Sequence, residues 1–205
     1  MGGSEKGGNA GRGSQRFDPI QFEVVRSALT QVAEEMAAAL RRSAYSTNVK
    51  TRQDFSCAFF DRDGRPISQA FTQPVHLGSF VELIPTSIKT YGAENLEPGD
   101  MLVVNNPFGG GSHLNDVTVF GPVHHNGELV GYVASLAHHV DVGGGAPASI
   151  GPFQEIFQEG IIIPPVKLVK KGEMNEDIFK LILAQIRSKR VTTGDFRAQV
   201  AANTV

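Results

Sequence analysis

Apolar residues recur at three- and four-residue steps soon after the chain's start. Val25, Leu29, Val32, Met36 and Leu40 fall on one face of a helix. Asp18 can cap its first turn, Pro19 suits the first helical position, and Gln21 can complete a capping box. The spacing predicts a long amphipathic helix beginning at Phe17 and ending near Ser46. The apolar run Phe55–Phe60 then reads as a strand. Asp61–Arg65 carries an Asp-Gly turn, and Pro66–Phe71 leads away, which predicts a β-hairpin. "GSFVELIPTSIKTYG" reads as a helix kinked or broken at Pro85. Met101–Val104 is a buried strand running into a glycine-rich loop.

The strongest short-range signal is Asn126-Gly127, flanked by apolar runs. It predicts a hairpin whose second strand runs from about Glu128 into "AHHVD" and ends at Gly143–Gly145. Ala146–Ile161 is irregular, and "IIIPPVKLV" resembles an edge strand. Asn175 is expected to cap a helix from about Glu176 to Lys189, and a last helix to begin near Gly194. The chain stops inside that helix, so a fragment of a larger subunit is the expectation. The fold class is α+β: a long N-terminal helix, antiparallel or mixed sheet hairpins, and further helices.

Composition narrows the partners. Residues 1–16 hold almost nothing apolar and are expected to form a disordered tail; residues 17–205 form the domain. A net charge of −2 provides no basic field for nucleic acid. No apolar run reaches the roughly 18–20 residues of a membrane span, and no secretory h-region is present. The single cysteine, Cys57, excludes an intramolecular disulfide and sits in apolar "FSCAFF", where an inert thiol is expected. A cytoplasmic location follows as the expectation.

The candidate chemistry centres on "FGGGSHLND", residues 108–116. A phosphate loop needs a lysine after the last glycine, and His113 stands there after Ser112. A dinucleotide fingerprint must enter a helix, and "HLNDVTVF" is strand-like. Metal binding fits better. His113 and Asp116 lie three apart at the mouth of a strand, with imidazole and carboxylate suited to Zn, Mn or Fe. "AHHVD" adds His138, His139 and Asp141. Counted outward from the turn, Asp116 and His138 are nearly equidistant, so strand pairing brings them together. Neighbouring strand residues point to opposite faces, so one of His138 and His139 shares the site. Asp54 suits a fourth ligand or a strand-start cap. His124 and His125 read as solvated turn residues, and His76 in "QPVHLGS" as structural.

Together, "RQDFSCAFFDRDGRPISQA", "HLGS", "NNPFGGGSHLNDVTV", "AHHVDVGG" and "QEGIIIPPVKL" resemble the hydantoinase B/5-oxoprolinase family over about residues 17–203. The family includes B subunits of ATP-dependent hydantoinases, caprolactamase, and related subunits of acetone and acetophenone carboxylases. Its members are longer, so this chain resembles an N-terminal portion. The resemblance implies a divalent metal, Zn or Mn, held by His113, Asp116 and His138, with Asp54 as a further ligand. It implies an A-type partner subunit that binds ATP and phosphorylates the substrate carbonyl. The B-type subunit then opens the C–N bond of a cyclic amide or, in the carboxylases, forms a carbon–carbon bond from a ketone. His138 is preferred over His139 on the family pattern. Asp141 is expected to orient a ligand histidine through its second ring nitrogen, and His139 joins it as a catalytic candidate. One departure stands out: where the family often has Asn-Asp-Pro-Tyr, this chain has Asn106 for the acid and Phe108 for the phenol. That departure suits a third reading, a non-catalytic assembly subunit.

Overall fold

The computed structural model describes residues 18–205; the expected tail at 1–16 lies outside them. Among the described residues five α-helices and seven strands follow one another: α1 (Pro19–Ser43), α2 (Thr47–Lys50), β1 (Phe55–Phe60), β2 (Pro66–Gln69), α3 (Pro74–Tyr91), β3 (Met101–Val104), β4 (Asp116–His125), β5 (Glu128–His138), β6 (Val166–Lys170), β7 (Glu173–Met174), α4 (Glu176–Ala184) and α5 (Lys189–Ala202). The strands form one sheet in the order β2-β1-β5-β4-β3-β6-β7, and every pairing is antiparallel.

Alternation along the strands sorts the core onto two faces. Phe55, Cys57 and Phe59 pack with Met36 and Leu40 of α1 and Ala198 and Ala202 of α5. On the same side, Val117 and Val119 meet Phe179, Ile182 and Phe196 of α4 and α5. Ala58, Phe60, Leu102, Phe120 and Tyr132 point the other way, onto Phe80, Leu83 and Ile84 of α3. The sheet is thus covered by α1, α4 and α5 on one face and by α3 on the other.

Several local expectations are corrected. Asp18 caps α1 by accepting from the amides of Ile20 and Gln21, but the apolar stripe is only partly buried at Leu29 and Val32 and fully buried at Met36 and Leu40, and Val25 stays half exposed. Pro85 sits inside α3 without ending it; the packing of Phe80, Leu83, Ile84 and Ile88 outweighs one missing amide donor. Asn175 does not cap α4 with its side chain, which donates to Lys167 O instead. That helix stops at Ala184, because the Asp141 carboxylate takes the backbone amides of Arg187 and Ser188, and α5 starts at Lys189. "IIIPPVKLV" contributes β6, which is flanked on both sides, leaving the two-residue β7 as the edge. Cys57 is fully buried, and burial pushes its thiol pKa well up, so it is inert. No helix among the described residues is long and apolar enough to cross a membrane.

Asp100 closes the turn that feeds β3. Its carboxylate accepts the amides of Glu97 and Lys171 and lies 2.6 Å from Lys167 Nζ. Burial opposes its ionisation, but the Lys167 ammonium and the two amides hold its pKa below the ordinary value. A depressed carboxyl stabilises the fold above its unfolded-state pKa of about 4 and loses that contribution as pH falls through the folded-state value. Asp100→Asn is therefore expected to cost about 2–3 kcal/mol at pH 7. In urea unfolding the gap between wild type and variant should shrink steadily below about pH 4. A gap that does not change with pH would show that the Asp100 charge contributes nothing.

Candidate metal centre

The β4–β5 hairpin sets the site. Asp116 pairs directly with His138 at its open end, across from the Asn126-Gly127 turn. The unequal counts to the turn are absorbed by a bulge between Val123 and His124. The pair is pinned from both sides: His138 N donates to Asp54 O of the segment entering β1, and His139 N donates to Asn115 O. Asn115 Nδ2 returns a bond to His139 O.

The glycine loop brings in His113. Asn106 caps the short turn at Pro107–Gly109 by accepting from Phe108 N. Buried Asn105 anchors the loop's base, donating to Leu114 O and Ile161 O and accepting from Ile163 N. Gly110 has φ +99, and a Cβ there would lie 2.7 Å from Leu83 N of α3; beside Gly109 no atom lies within 4 Å. Gly110→Ala is accordingly expected to cost about 1–2 kcal/mol and to weaken metal uptake by displacing His113, while Gly109→Ala stays within about 0.5 kcal/mol. Thermal unfolding and metal titration of the two variants side by side check this; equal effects would remove the steric argument.

Asp116 is the hub. Its Oδ1 lies 3.2 Å from His138 Nδ1 and its Oδ2 3.1 Å from His113 Nδ1, and the Ser112 hydroxyl donates to Oδ2. The His113 and His138 rings are 4.9 Å apart between centroids. The three side chains present ligand atoms all within 4.8 Å of one another, so the group can hold a metal ion. Asp116 is 3% exposed, His138 25% and His113 44%, so the cluster is anchored inside and open to solvent on the His113 side. Burial opposes charge on Asp116, but hydrogen bonds from His113, His138 and Ser112 hold its carboxyl far below the usual range. The same bond to Asp116 raises the pKa of His113.

His76 lies against this hub and joins it to Asp54. His76, on the first turn of α3, places Nε2 3.4 Å from Asp54 Oδ1 and 3.8 Å from Asp116 Oδ2. Burial lowers its pKa. By sequence alone His76 is expected to be structural. The signal that could have found it is that a helix start faces the end of the neighbouring strands, so "QPVHLGS" and "RQDFS" meet there.

His139 and Asp141 are not brought into the group. His139 points to the opposite face, fully buried against Phe196, with Nε2 2.9 Å from Gln199 Oε1. Burial lowers its pKa. Asp141 binds the amides of Gly143, Arg187 and Ser188 and the Arg187 guanidinium at 3.4 Å, which leaves no contact with an imidazole. Its work is to end α4 and start α5.

The scaffold is antiparallel α+β, with a histidine–aspartate group at one sheet end that could hold a metal ion. The chain belongs to the hydantoinase B/oxoprolinase family, whose model matches residues 18–205. An uncharacterized Methanocaldococcus jannaschii protein, MJ0963, is 45% identical over 189 residues, covering 91% of this chain and 34% of the relative. The 5-oxoprolinase of Dictyostelium discoideum is 38% identical over 198 residues, covering 96% and 16%. The beta subunit of Pseudomonas jessenii caprolactamase is 37% identical over 189 residues, covering 92% and 32%. The crystal structure of that organism's ATP-dependent caprolactamase superimposes with a TM-score of 0.85 at 35% identity, covering 92% of this chain and 33% of that one. The chain therefore spans about a third or less of the length of these relatives.

Proposed function

We propose that this chain is the metal-binding portion of a B-type subunit in an ATP-dependent cyclic amidohydrolase. It acts with an A-type subunit that binds ATP and activates the ring carbonyl. The observation that carries this reading is the convergence of His113, Asp116 and His138 on one open sheet end in a chain of the hydantoinase B/oxoprolinase family. The relatives named 5-oxoprolinase and caprolactamase support the cyclic-amide class.

The residues present fit a divalent cation: two imidazoles and one carboxylate, each with a ring nitrogen or oxygen aimed at the same space. His113, Asp116 and His138 would hold it, and when bound it lowers the pKa of water and polarises a carbonyl oxygen. Ser112 and the β4–β5 pairing fix the carboxylate. The half-exposed His113 marks the side from which a substrate approaches. The space beside Gly109 lets a ligand come close to the loop backbone. An amide resists attack because of its resonance; a carbonyl phosphorylated by the partner has lost that resonance and yields more readily.

The test supplies the full chain with an A-type subunit, ATP and either 5-oxoproline or caprolactam. Ring-opened amino acid formed in step with ADP is the expected product. His113→Ala should remove both the metal and the product. Carboxylation of a ketone by the same pair would move the chain to the carboxylase class. Absence of metal from wild type as well as variant would leave only an assembly role.

A further inference from the structure

On the side of the sheet covered by α1 and α5, a cavity of about 510 Å³ lies between the end of α1 and the first turns of α5. Lys189, Arg190 and Arg197 line it together with the hydroxyl side chains of Ser43, Tyr45 and Thr193, and no acid shares the lining. Among the described residues none of these three cations is in an ion pair, whereas Arg187, just before them, is taken by Asp141. Asp195 is the single acid of α5. It is fully buried, and its Oδ1 accepts from the amides of Tyr45 and Ser46. Residues 41–52, which lead from the end of α1 through α2, add four cations and no acid. A net charge of −2 thus conceals a local excess of positive charge. Like charges gathered on one concave surface focus a positive potential and repel one another until an anion enters.

We propose that this cavity binds a small phosphoryl-bearing ligand, either inorganic phosphate or a nucleoside diphosphate. Its volume falls within the roughly 300–1,000 Å³ of small-molecule sites. Two guanidiniums offer planar pairs of N–H donors that match phosphate oxygens, and the ammonium and hydroxyls add single donors. The cations converge on one cavity instead of running along a stripe, which favours a compact anion over an acidic polypeptide. Tyr45 extends the site. Its ring rests on the backbone of Gly194, where a Cβ would run into it, yet the residue stays 60% exposed. A planar base has a surface there on which to stack. No residue of this cavity belongs to the His113–Asp116–His138 group, so the site stands independently of the metal-centre reading.

The test is calorimetric titration of the purified full chain with inorganic phosphate and, separately, with ADP, at low salt and in excess chelator so that no metal holds the anion. Wild type is expected to bind one phosphate. Arg190→Gln and Arg197→Gln should each weaken binding about tenfold or more. Both side chains are exposed, so thermal unfolding without ligand should match wild type. Arg62→Gln, in the turn after β1, and His113→Ala should both bind phosphate as wild type does. Tighter binding of ADP, with that advantage lost in Tyr45→Ala while phosphate binding is kept, makes the ligand a nucleotide; otherwise it is phosphate. Absence of binding by wild type, an equal loss in Arg62→Gln, or a loss in His113→Ala overturns the site. Binding of a polyglutamate peptide but of neither phosphate nor ADP also overturns it, in favour of an acidic protein partner.

Discussion

Asp116→Asn is expected to abolish the metal site proposed at His113, Asp116 and His138, weakening divalent-cation affinity by at least about 100-fold and turnover by the proposed complex by about 10³-fold. The reason lies in how both oxygens are used. Oδ1 faces His138 and Oδ2 faces His113, so one carboxylate sets the spacing of both imidazoles. An amide carries no charge and has only one oxygen; its NH₂ would turn donor protons toward a ring nitrogen or a cation. The fold should survive, because Asp116 keeps its strand pairing with His138 through the backbone. Metal-to-protein ratio and chemical unfolding, measured on the same preparation, separate the two effects. A variant that holds stoichiometric metal would remove Asp116 from the centre of the site.

Gln199→Leu is expected to destabilise the fold by about 3–4 kcal/mol. Gln199, fully buried on α5, donates from Nε2 to Val117 O of β4 at 2.9 Å and to Ser135 O of β5 at 3.0 Å. Its Oε1 meets His139 Nε2 at 2.9 Å. Leucine matches the volume but leaves an imidazole nitrogen buried without its partner and takes from two ladder carbonyls their second hydrogen bond. Those groups lie on the strands that carry Asp116 and His138, so metal uptake should weaken together with stability. Denaturant midpoints report the first effect and titration the second. A loss below about 1 kcal/mol would mean that water or relaxed neighbours replace these bonds.

The strand pairs and the His113–Asp116–His138 triad were legible because each depends on neighbours close in sequence. Asn126-Gly127 fixes the hairpin, the hairpin fixes the register, and register sets Asp116 opposite His138. The alternation of strand residues also determined that only one of His138 and His139 could join the group. Where the expectation failed, a distant partner intervened. Asp141 is expected beside a histidine, but the Arg187 and Ser188 amides, some 46 residues away, claim its Oδ2, and the Gly143 amide and Arg187 guanidinium its Oδ1. The same contact cuts short a helix whose local pattern would have continued. A structural His76 is the sequence's expectation because no local pattern links its helix start to Asp54 and Asp116, 22 and 40 residues away.

The sequence alone determined the elements, the hairpin register and the chemical kinds of donor, since turn preference, apolar period and side-chain type are local properties. Tertiary structure alone decided which face each histidine enters, that α3 delivers His76 to the hub, and that Asp141 ends a helix. Those outcomes depend on which buried polar groups find partners across long sequence separations, and only packing brings such groups together.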